Sequence, residues 1–164
     1  MADKTSFTPD EWKRILEGVM MASVAVTAAD PSGLWGLLKE SFAAGATLAA
    51  GKTDAGSSAL IKAVVADFET SEGRGLARDG VKERIAGSKP AEIKVQGIDA
   101  LRQVGVLLDT KAPEDAASFK RWLQQISQHV AEAAKEGGFL GIGGVRVSEA
   151  EKATLAEIAS ALKV

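Results

Sequence analysis

An all-α, single-domain bundle of six or seven helices is the fold the sequence predicts, on three observations. All four prolines stand where an amphipathic helix would begin: Pro9 after Thr8, Pro31 after Asp30, Pro90 before Ala91-Glu92-Ile93, and Pro113 before Glu114-Asp115. A proline at the first helical position wastes no hydrogen bond, because its missing N–H has no intrahelical partner and its fixed φ suits the helix. Between these marks, apolar residues recur at helical spacing. No period-two run competes with them, and Val145-Arg146-Val147, the one short extended candidate, has no obvious partner strand.

The first helix is predicted to start at Thr8, whose hydroxyl caps the backbone while Glu11 reaches back in a capping box. Trp12, Ile15, Leu16, Val19 and Met20 form its apolar stripe. From Val19 to Ala29 there is no charge on any face, so this end is expected to be buried all round. Asp30-Pro31-Ser32-Gly33 turns the chain into a second helix with Leu34, Leu37, Leu38, Phe42 and Leu48 inward, and Gly45 and Ala49 one turn apart. A polar loop follows from Gly51 to Ser58.

The third helix covers Ala59 to about Glu69, with Leu60, Ile61, Val64, Val65 and Phe68 packing. A fourth is expected to be short and exposed, because Leu76, Val81 and Ile85 are sparse among charges. Gly87-Ser88-Lys89 ends it. The fifth runs from Pro90 to about Leu108 with Ile93, Ile98, Leu101, Val104 and Leu108 inside. Gly97 and Gly105 interrupt it at about 1 kcal/mol each relative to alanine, for which close packing of a neighbour is the simplest explanation. The sixth lies between Pro113 and Gly137 with Phe119, Trp122, Leu123, Ile126, Val130 and Ala133 in one stripe, and acidic residues at its start suit the helix dipole. The seventh opens at Ser148 with Glu151 completing a second capping box, and carries Leu155, Ile158, Ala159 and Leu162.

Composition narrows the function. At 164 residues, with 46% apolar and 26% charged residues, the chain is an ordinary globular length for one domain with a real core. A formal net charge of −2 gives no basic footprint for a phosphate backbone, so no nucleic-acid partner is expected. With no cysteine, disulfides, thiolate zinc sites, iron–sulfur clusters and cysteine nucleophiles are excluded. Met1 to Ser6 has mixed charge and no apolar signal core, so the expected location is cytoplasmic. Between Gly18 and Gly51 the only charges are Asp30, Lys39 and Glu40, yet Asp30-Pro31 cuts the run short of the roughly 20 residues a bilayer span needs. A buried helical hairpin explains the run, and its poverty of charge equally suits a self-association interface.

The motifs are mostly bland. Gly51-Lys52-Thr53 lacks the correctly spaced leading glycine and preceding strand of a phosphate loop. No Gly-x-Ser-x-Gly elbow occurs. Asp67, Glu69, Glu72, Arg74 and Arg78 lack calcium-loop spacing and read as a solvated charged face. His129 is the single histidine, and one His-x-x-Glu with Glu132 cannot supply a zinc or di-iron ligand set. No cofactor is expected. A ligand-binding reading places the pocket between helices near Trp35, Trp122 and His129. In the stretch from Gly137 to Gly144, glycines alternate with Phe139, Leu140 and Ile142. The default reading is a connector that plugs the core; the sharper one is an exposed apolar tip for a protein partner or a membrane surface.

The ending Gly143-Gly144-Val145-Arg146-Val147-Ser148-Glu149-Ala150-Glu151-Lys152-Ala153-Thr154-Leu155, preceded by Val130-Ala131-Glu132-Ala133-Ala134, resembles the helix, glycine turn, Ser/acidic, helix pattern of TerB-like domains. These are small all-helical proteins associated with tellurite resistance and stress response, some with acidic metal sites. The resemblance covers about the last third, with an echo in Val24 to Asp30. Where the family commonly has Asp-Gly acids at the turn, this chain has Glu136-Gly137-Gly138 and then apolar residues, so metal binding is not carried over. The functional expectation is a non-enzymatic interaction domain, self-associating through the charge-poor hairpin. Its alternative is a stress protein that binds a small molecule or ion.

Overall fold

A computed structural model describes residues 1–29, 57–136 and 147–164, with the side chains of 133–136 left out. The predicted second helix, the turn at Asp30-Pro31, and Trp35, Phe139, Leu140, Ile142, Val145 and Arg146 lie outside the described residues. Those described form an all-α bundle with six α-helices: α1 (Pro9–Ala29), α2 (Ala59–Glu69), α3 (Ser71–Ile85), α4 (Pro90–Lys111), α5 (Pro113–Glu136) and α6 (Glu149–Leu162). A short 3-10 turn, Lys4–Ser6, precedes them. None of these helices is long and apolar enough to cross a membrane.

α1 is the spine. It packs against α3, α4, α5 and α6, and its charge-free end is buried on every face from Met21 to Ala28. Its start is built as the sequence predicts: the Glu11 N–H donates to Thr8 Oγ1 at 3.2 Å, and the Glu11 carboxylate accepts the Thr8 N–H at 2.8 Å. That second bond is the main reason the Glu11 carboxyl is held below the ordinary carboxylate range; Lys111 of α4, 3.3 Å away, adds to it. Phe7, just before the cap, packs on Trp12 with ring centroids 5.9 Å apart. The pair is a hydrophobic staple that fixes the angle at which the chain enters the helix.

Two glycine contacts set α1 and α4 side by side. A Cβ at Gly18 would stand 2.7 Å from Val104 Cγ2, and one at Gly97 would stand 2.8 Å from the Ala25 Cβ. Because Gly18 meets Val104 while Ala25 meets Gly97, the helices run antiparallel. Gly105 departs from the expectation of close packing: its added Cβ would find nothing nearer than Lys120 Cε at 3.5 Å, an ordinary contact.

α2 and α3 are joined by Thr70 alone. Its Oγ1 donates to the Asp67 carbonyl at 2.7 Å and accepts the Gly73 N–H at 2.9 Å, closing one helix and opening the next. Arg74 Nη1 then donates to the Phe68 and Glu69 carbonyls at 3.0 and 2.8 Å, satisfying the C-terminal acceptors of α2. The turn is so tight that a Cβ at Gly73 would lie 2.2 Å from the Asp67 carbonyl oxygen.

α3 corrects the expectation of a short, exposed helix. It is 15 residues long and buries Gly73, Ala77, Gly80 and Val81. Those positions fall at helical spacing, so α3 does have a packing face; apart from Val81 it is made of small residues, which lets α3 approach α1 and α2 closely.

α4 begins at Pro90, with the Lys89 N–H donating to Glu92 at 2.7 Å, and runs to Lys111, about a turn beyond the expected end. Ala112 alone separates it from α5. The predicted stripe of α5 is buried at Phe119, Trp122, Leu123 and Ile126 and half-buried at Val130. Ser127 Oγ lies 2.9 Å from the Ala22 carbonyl and 3.2 Å from that of Leu123, a buried polar contact between α5 and α1. α6 opens with the Ser148/Glu151 capping box and ends at Lys163 in the left-handed region. One continuous apolar core takes Leu16, Leu60, Ala77, Leu101, Phe119 and Ile158 from the six helices in turn.

Candidate functional site

Of the residues expected to line a pocket, Trp122 and His129 are described. They are one heptad apart on α5, hence on nearly the same face, with about 10 Å of helix rise between them. Trp122 is 6% exposed and packs edge-to-face on Phe119 at 5.2 Å. Its indole N–H is buried and has no hydrogen-bond partner among the described residues. His129 is exposed. No group of three or more metal-ligating side chains occurs among the described residues.

The buried charges are committed to structure. Glu17, 6% exposed on α1, pairs with Arg84 Nε from α3, and Arg84 Nη2 also reaches Gln103 of α4 at 3.5 Å. Gly80 makes room for that glutamate, since a Cβ there would lie 3.1 Å from both the Glu17 Cβ and its Oε2. Lys120 of α5 is held by the two Asp109 oxygens at 2.6 and 2.7 Å across the α4–α5 junction. Asp115 is buried and accepts the Ala2 N–H at 2.7 Å, a closer role than general complementarity to the helix dipole.

The charged face expected at the end of α2 is only partly solvated. Glu69, Glu72 and Arg78 are exposed, but Asp67 accepts the Trp12 indole N–H at 2.7 Å and the Lys4 ammonium at 3.1 Å. Asp67 therefore ties α2 to α1 and to the N-terminal turn. With the Arg74 cap, two of the five residues read as a solvent face act inside the fold.

One surface was not anticipated. On the outer side of α4, Val95 and Val106 are 64% and 55% exposed, with the Asp99 and Arg102 side chains at 46% and 56% between them. Arg102 Nη1 reaches Asp99 at 3.2 Å, and Gln103 Nε2 donates to it at 2.7 Å. The signal was present in the sequence: neither valine belongs to the inward stripe of this helix, and apolar residues off the stripe must face elsewhere. Nothing in these contacts identifies a reaction, and no family model, curated protein or solved structure matches the chain.

Proposed function

We propose that this chain is a cytoplasmic, non-enzymatic helical domain that works through surface contacts, self-association among them. The observation that carries the reading is the outer face of α4, where two large apolar side chains stand in solvent although the other helical stripes described are turned inward. Val95 and Val106 lie on one ridge of α4, about 16 Å apart in helix rise, with Asp99 and Arg102 between them, and a ridge that alternates apolar and charged side chains in this way offers a contact surface. Commitment of Glu17, Lys120, Asp67 and Asp115 to ties between segments supports the same reading. Of the charge-poor run expected to self-associate, the α1 part is enclosed by its own chain, and residues 30–51 lie outside the described residues.

Sedimentation from micromolar to millimolar concentration, combined with affinity capture, tests this proposal. The expected result is a mass that rises with concentration or a specific captured protein. A mass of one chain throughout, with nothing captured, contradicts it.

A second reading has one observation in its favour. The Trp122 N–H, without a partner among the described residues and on the face that leads to exposed His129, offers a hydrogen bond to an acceptor atom of a small ligand. It agrees with the stress-response role that the TerB-like resemblance implies. Under this reading some metabolite or metal ion in a thermal-shift screen raises the melting temperature, since a ligand bound only to the folded state stabilises it; no shift with any compound counts against it.

A further inference from the structure

The outer face of α4 is self-complementary. Val95, Asp99, Arg102 and Val106 fall within an arc of about 60° at 100° per residue, so they form one ridge along the helix. The valine pair and the charged pair share a midpoint, between Ala100 and Leu101. A two-fold axis through that point, perpendicular to the helix, lays the α4 of a second copy antiparallel on the first. Each valine at 95 then meets the second copy's Val106, and each Asp99 meets the second copy's Arg102.

We propose that two copies of this chain associate through this ridge, with α4 antiparallel to α4. The proposal rests on the self-association reading and names its surface, partner and register. The contact is isologous, so every favourable pair occurs twice, as closed two-fold assemblies require. Apolar pairs sit at the two ends and opposite charges at the centre. The existing Arg102–Asp99 pair within each chain, at 3.2 Å, joins its symmetry mate in a ring of alternating sign. A parallel pairing in register has no such match, since it sets Asp99 on Asp99 and Arg102 on Arg102. A single ridge of about three turns is smaller than the roughly 800 Å² per partner of a standard interface, so the association is weak and concentration-dependent.

The chain has no cysteine, so introduced thiols report on register without background. Mixed Val95→Cys and Val106→Cys proteins are expected to form a heterodisulfide faster than either disulfide with itself, because like positions stand about 16 Å apart in helix rise. Asp99→Arg and Arg102→Asp are each expected to weaken self-association at least tenfold, and mixing the two is expected to restore it as a heterodimer in which all facing charges are opposite. Val95, Arg102 and Val106 are exposed, while Asp99 is half-buried with Arg84 Nη1 4.0 Å away, so circular dichroism checks that each variant, Asp99→Arg above all, is folded. Equal cross-linking in all combinations, or charge variants that associate like the parent, overturns the α4 pairing while leaving self-association through another face standing. A parent chain that stays monomeric at millimolar concentration overturns it as well; capture of a different protein would then sustain the broader reading alone.

Discussion

Arg84→Ala is expected to destabilise the fold by about 3 kcal/mol or more, measured by chemical denaturation, because it strands the buried Glu17 carboxylate without its partner. The effect is lopsided by nature. Drawing two charges out of water costs about as much as their attraction returns, so removing both is tolerated far better than removing one. Glu17→Met combined with Arg84→Met is therefore expected to recover most of the lost stability, the unbranched methionines filling the space between Gly80 and α4. A loss below about 1 kcal/mol for Arg84→Ala would mean that the pair is as solvated as an ordinary surface salt bridge.

Gly97→Val is expected to cost about 3 kcal/mol, while Gly105→Ala is expected to stabilise by up to about 1 kcal/mol. Both glycines interrupt the same helix, and intrinsic propensity favours replacing either. Packing separates them. At position 97 the new carbon would lie 2.8 Å from the Ala25 Cβ, and 3.3 Å from both the Ala25 Cα and Met21 Cε. The α1 backbone cannot yield there without moving the spine. At position 105 the nearest atom is the Cε of a lysine, 3.5 Å away, which leaves room for a methyl group. Denaturation of both variants should give changes of opposite sign; losses of equal size at the two positions would mean that α1 and α4 do not cross at Gly97.

The contrast also shows what a sequence can and cannot reveal here. These helix starts were legible because caps are local: Thr8 with Glu11, Pro90, Pro113 and Ser148 with Glu151 each act within one turn. So was the burial of the α1 end, since an uncharged run leaves no face for water. Whether a glycine is tightly packed depends on a second helix distant in sequence, and Gly97 and Gly105 look identical from within α4. α3 was underestimated because three of its four buried residues, Gly73, Ala77 and Gly80, are glycine or alanine, which carry little weight in any hydrophobic pattern. Asp67 was assigned to solvent because the indole that binds it lies 55 residues earlier. Of the expected pocket, Trp122 and His129 were placed on the correct helix, but an indole N–H without a partner among the described residues depends on neighbours that spacing does not specify. Val95 and Val106 were readable in principle, as apolar residues outside the stripe.

That α1 is covered by its own chain, leaving association to an outer face, is tested most directly by amide hydrogen exchange across a dilution series. Amides from Met21 to Ala28 are expected among the slowest to exchange, at rates unchanged between high and low concentration, because α3, α4, α5 and α6 surround them in each copy. Protection in that segment that fades on dilution would show that a second copy covers it, and would contradict the account.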